Sequence, residues 1–116
     1  MSDAAPLLVA WERLTTALMN DTRRFTASFR PNLTHYINQH LLDGLVLLSA
    51  LEYQPAADRL ARLRRLDEHV AALKVLVRQA HAQGAMSHAQ YDRHQSALAE
   101  AGRMLGGWRR HLEGRG

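Results

Sequence analysis

This sequence predicts an all-α, up-down-up-down antiparallel four-helix bundle. Three observations point to that fold. Leu, Ala and Arg dominate a 116-residue chain that has only three prolines, and all three are strong helix formers. Apolar residues recur every three or four positions through four segments of roughly 20–28 residues, the period of a one-sided helix. The breaks between segments are short and carry Pro, Gly, Asn or Ser, and short connections make consecutive helices antiparallel neighbours. One domain over residues 1–116 follows from the length.

The first helix is expected over 6–28. Leu7, Trp11, Leu14, Leu18 and Phe25 form its stripe, which Asp21 interrupts at one turn. Pro6 sits in the first turn, where a missing N–H does no harm. Phe29-Arg30-Pro31-Asn32 breaks the pattern. The second helix is expected over 32–53, with Asn32 as N-cap and Leu33, Ile37, Leu41, Gly44, Leu48 and Leu51 on one stripe. Gln54-Pro55 ends it, and Pro55 can open the next.

The third helix, 56–83, carries Leu63, Leu66, Val70, Leu73, Val77 and Ala80 in alternating steps of three and four, a heptad seam. Gly84 is placed for a left-handed C-terminal cap. Ser87-His88-Ala89-Gln90 then has the form of a capping box. The fourth helix, 87–112, continues the rhythm with Tyr91, His94, Leu98, Ala101, Leu105, Trp108 and Leu112. Trp11 and Trp108 fall on apolar seams and are assigned to the core. Tyr36 and Tyr91 place hydroxyls at a seam edge. The tail after Leu112 is expected to fray.

Composition narrows the function. There is no cysteine, so disulfides and thiolate metal sites are excluded and a reducing cytoplasm fits. The start Met1-Ser2-Asp3-Ala4-Ala5-Pro6 has no basic n-region. The longest apolar stretch, Leu41–Leu51, is short and holds Asp43, against a membrane span. Among seven histidines, only His40/Asp43 and His88/Asp92 form helical His–carboxylate pairs, and no Glu-x-x-His occurs, so no metal and no cofactor are expected. No nucleophile motif or phosphate loop is present, and Asp67 and Glu68 point to different faces. The chain reads as a non-enzyme.

The charge is the better lead. The net charge is +4, and fourteen of fifteen cations are arginine. Residues 1–54 balance at −1 and residues 55–116 at +5. Arginine's planar fork suits phosphate. Arg59, Arg62 and Arg65, with Arg64 beside them, line one side of the third helix. Lys74 and Arg78 extend the strip, and Arg103 and Arg110 share a face of the fourth helix. A solvated face knit by Asp58–Arg62, or by Arg64 with Asp67 or Glu68, competes for each residue. As a set, the surplus points to a phosphate backbone, without the interleaved aromatics that base stacking needs.

The last helix also holds Gly102, Gly106 and Gly107, each costing about 1 kcal/mol relative to alanine in a helix interior. With Trp108 on the apolar side, these glycines read as a ridge for close helix packing or for contact with another subunit.

Three segments carry a resemblance: Ala72-Leu-Lys-Val-Leu-Val-Arg-Gln-Ala-His81, Met86-Ser87 followed by Gln90-Tyr91, and Ala101-Gly-Arg-Met-Leu-Gly-Gly-Trp108. They resemble the second half of the accessory variability determinant proteins of diversity-generating retroelements. That family belongs to a wider four-helix set that includes a protein encoded in 23S ribosomal RNA intervening sequences. The likeness covers about residues 60–112, and Gly-Arg-Met-Leu-Gly-Gly-Trp is its most specific part. The first half shares only helix lengths and Phe29-Arg30-Pro31, where the family order is Phe-Pro-Arg.

The resemblance implies a cytoplasmic, non-catalytic accessory subunit that forms a homopentamer. It implies binding to the retroelement's reverse transcriptase and to RNA and DNA during mutagenic copying of a template RNA. Five copies at +4 each would present about +20, enough to draw in nucleic acid. The competing expectation is a structural homo-oligomer whose charge serves solubility.

Overall fold

A computed structural model describes residues 4–114, and among these the regular structure is entirely helical. The four α-helices are α1 (Ala4–Thr22), α2 (His35–Ser49), α3 (Ala56–Ala82) and α4 (His88–Gly114). They pack as a bundle of 47 × 22 × 20 Å. Each helix lies against the next in sequence, and α4 returns to α1, so four apolar stripes enclose one core. No described helix is long and apolar enough to cross a membrane.

The stripes read from sequence are the ones that bury. Leu7, Trp11, Leu14 and Leu18 of α1, the whole heptad seam of α3, and Leu98, Ala101, Leu105 and Trp108 of α4 all lie in the core. The turn between α3 and α4 also forms as its residues dictate. Gly84 takes φ +79°, a region that costs other residues a clash. Ala85 N–H then reaches back to the Ala80 carbonyl at 2.9 Å. The Ser87 hydroxyl accepts from Gln90 N–H at 3.1 Å, while Gln90 Oε1 accepts from Ser87 N–H at 2.8 Å. Two otherwise orphaned donors are satisfied reciprocally.

The first half departs from expectation. α1 ends at Thr22, not Ser28. Phe25 keeps the periodic spacing and is buried, yet it reaches the core from the connection, where its ring meets Phe29 edge-on at 6.0 Å. A 3-10 turn, Ala27–Phe29, and a wide π turn, Arg30–Thr34, carry the chain past Pro31. Asn32 therefore lies inside that turn and is not the N-cap of α2. Its Oδ1 accepts from Leu33 N–H at 2.6 Å, and its Nδ2 donates to the Ser28 carbonyl at 3.3 Å. α2 stops at Ser49 and a 3-10 turn, Leu51–Tyr53, replaces its expected last turn. α4 continues past Leu112 to Gly114.

Asp21, which seemed to interrupt the α1 stripe, is a tie between helices. Its Oδ2 lies 2.5 Å from Nε2 of the buried His94 on α4 and 3.8 Å from Arg93 Nη2. Gly44 marks a close helix approach. A Cβ there would sit 2.2–2.5 Å from atoms of the Trp11 indole. The fully buried indole N–H donates to the Leu41 carbonyl at 2.8 Å. Only glycine lets α2 lie on that ring.

Candidate nucleic-acid interface

The basic residues of α3 and α4 do not form one continuous strip. Arg62 turns toward α2, its Nη1 donating to the Leu47 carbonyl at 3.2 Å. Arg59 is half-buried, and its Nε is enclosed without a hydrogen-bond partner. Arg65 is exposed but near enough to His69 to perturb it. Arg64 pairs with Glu113 across to α4 at 3.0 Å. The Asp58–Arg62 and Arg64–Asp67 or Arg64–Glu68 pairs do not form among the described residues. Longer-range partners win instead: Glu113 takes Arg64, and Asp67 takes Arg109.

What the fold does bring together is Lys74, Arg103 and Arg110. These line a groove of about 500 Å³ between α3 and α4, with Asp67, Val70, Ala71, Ala99, Gly102 and Gly106 as its other walls and floor. Asp67 does not oppose an incoming anion, because Arg109 neutralises it. Arg103 is held by Glu100 one turn back, whereas Lys74 and Arg110 pair with no carboxylate among the described residues. Arg78 stands exposed one turn beyond Lys74.

The glycines Gly102, Gly106 and Gly107 can be compared with the first of the two roles their spacing suggests, close packing of helices. Within the chain they are not where helices approach closely. A Cβ at Gly102 would make ordinary contact with Val70 Cγ1 at 3.9 Å. At Gly106 and Gly107 the only neighbour is the Arg110 guanidinium, 3.2 and 4.0 Å away. The missing side chains leave a trough, and Arg110 folds back along it. Ala99, Gly102 and Gly106 are spaced by three and four, so the groove floor is one helical face of minimal side chains. That spacing was the available signal for Ala99 as a lining residue. The pairing with Ala71 needs the fold. Trp108 stays in the core, as its seam position requires.

The histidines gather in pairs. His81 stacks on Tyr91 at 4.5 Å, and His88 lies near both rings and 3.4 Å from Asp92. His40 and His69 meet across the α2–α3 seam. Among the described residues no three His, Asp or Glu side chains converge to hold a metal ion. Tyr36 is exposed and Tyr91 half-buried at the bundle edge.

No protein-family model matches this chain, and no curated protein matches it.

Proposed function

We propose that this protein is a non-catalytic accessory subunit of a diversity-generating retroelement, an up-down-up-down bundle that binds RNA, cDNA and the reverse transcriptase. The observation that carries the reading is the α3–α4 groove, where Lys74 lines one wall and the Arg110 guanidinium lies along a floor of Ala99, Gly102 and Gly106. The up-down-up-down course is supported by cross-helix partners. Gln95 reaches Lys74, Arg109 reaches Asp67 and Glu113 reaches Arg64, so α4 numbers rise as α3 numbers fall. The Gly-Arg-Met-Leu-Gly-Gly-Trp run supplies the family reading, and with it a cytoplasmic homopentamer.

Backbone contacts of this kind bind by releasing counterions, so affinity falls steeply with salt. The test is fluorescence anisotropy with single-stranded RNA across a salt series. Replacing Lys74, Arg103 and Arg110 together by Glu should weaken binding and lower the slope of log K against log salt by about 2, from three lost contacts. Unchanged affinity and slope would refute the groove. Light scattering that returns a single 13.1 kDa chain would refute the pentamer.

A second reading, a structural homo-oligomer without nucleic acid, draws on exposed Tyr36, Val46 and Tyr53. An oligomer that ignores RNA at low salt would select it.

A further inference from the structure

Along the chain no exposed aromatic alternates with the cations of α3 and α4, but folding gathers three rings at the end of their shared face. On α3, Lys74, Arg78 and His81 follow one another by four and three. On α4, His88, Tyr91, Gln95, Ala99 and Gly102 keep the same rhythm, so each set lies along one side of its helix. Gln95 fastens the two sides together, its Nε2 donating to the Lys74 carbonyl at 3.1 Å. The face that holds the basic groove therefore runs on, past exposed Arg78, to the α3–α4 turn. There the His81 and Tyr91 rings stack with centroids 4.5 Å apart and planes at 18°. His88 stands against both, 5.5 Å from His81 and 6.3 Å from Tyr91, and its side chain is 75% exposed.

We propose that this corner stacks an unpaired base of the nucleic acid whose backbone occupies the groove, which makes a single strand the preferred ligand; this rests on the reading of the groove as a phosphate site. The exposed His88 ring supplies the face, and the His81–Tyr91 stack is the wall behind it. Every base has a π-face, so such a contact tolerates any sequence. In a duplex those faces are covered by neighbouring base pairs, whereas a single strand can splay a base out onto a side chain.

Charge divides the face in the same way. In the groove, Lys74 and Arg110 pair with no carboxylate among the described residues. At the turn, Asp92 Oδ2 lies 3.4 Å from His88 Nε2. That carboxylate repels a phosphate but not an uncharged base, so the cationic end suits the backbone and the aromatic end suits the base. The span fits a short strand. From Asp67 to His81, α3 rises about 21 Å at about 1.5 Å per residue, room for about six nucleotides at about 3.4 Å each.

The experiment measures fluorescence anisotropy of short RNA and DNA strands with the full chain, beside an abasic strand of equal length and charge. Both base-bearing strands should bind about five- to a hundredfold tighter than the abasic one, the worth of one stacked base. That comparison needs no substitution. His88→Ala, at an exposed position, should bring the base-bearing strands down to the abasic affinity. It should leave competition by an end-free circular duplex unchanged. It should also leave the salt slope as it is, because stacking releases no counterions. His88→Phe, which keeps a ring, should retain the strand affinity. An abasic strand that binds as tightly as the base-bearing ones, or a His88→Phe protein as weak as His88→Ala, would overturn the stacking corner and leave the groove standing. Failure of abasic and base-bearing strands alike to bind would remove the groove reading, and the stacking corner with it.

Discussion

Replacing Gly44 by alanine should be among the most damaging single-methyl changes in this chain. The new Cβ would lie 2.2 Å from Trp11 Cζ2 and 2.5 Å from Nε1. The nearest atom must move roughly 1.2 Å to reach ordinary contact at 3.4 Å. Trp11 is fully buried and its N–H is fixed on the Leu41 carbonyl, so the ring cannot yield without losing that bond. Overpacking costs about 1–3 kcal/mol, and an unpaired buried N–H about 1–3 kcal/mol more. The alanine returns about 1 kcal/mol of helix propensity. The net is a loss of about 1–5 kcal/mol, or roughly 3–25 °C in Tm for a domain of this size. Gly102→Ala is the internal control. Its Cβ meets only Val70 at 3.9 Å, so it should gain about 0.5–1 kcal/mol. Urea and thermal unfolding by circular dichroism measure both. A Gly44→Ala protein that unfolds with the parent, or a Gly102→Ala protein that loses as much, would refute the close approach at Trp11.

Two further outcomes follow. Because burial holds His69 below its ordinary 6.5, the unfolded chain takes up protons first on acidification; stability is full well above that value and should fall as the pH drops through it. His69→Gln should flatten that fall in urea midpoints. Ser87→Ala removes the hydroxyl that caps Gln90 N–H and should cost about 1 kcal/mol in the same assay.

The second half of the chain was the more legible. On α3 and α4 the period-seven seam, the Gly84 turn and the Ser87–Gln90 box are local signals, and local signals suffice when helices are long and their turn is short. The first half hid its boundaries because Phe25 keeps helical spacing while sitting in a loop. Asp21 looked like a flaw in a stripe because its partner, His94, lies 73 residues away. Gly44 was visible on its stripe, but nothing along the chain says that an indole from α1 will lie above it. The same holds for the groove. Its cations and glycines were all named in the sequence, whereas the loss of Arg62 to the Leu47 carbonyl of α2 depends on how α2 and α3 dock. The His40–His69 contact is tertiary from the outset.

The five residues between α3 and α4, 83–87, also set the order of assembly. Closing so short a loop costs little chain entropy, and contacts local in sequence form fastest. The α3–α4 hairpin is therefore the natural nucleus, and every wall of the basic groove belongs to it. Mutations in α1 should then mainly quicken unfolding, and mutations in the hairpin mainly slow refolding.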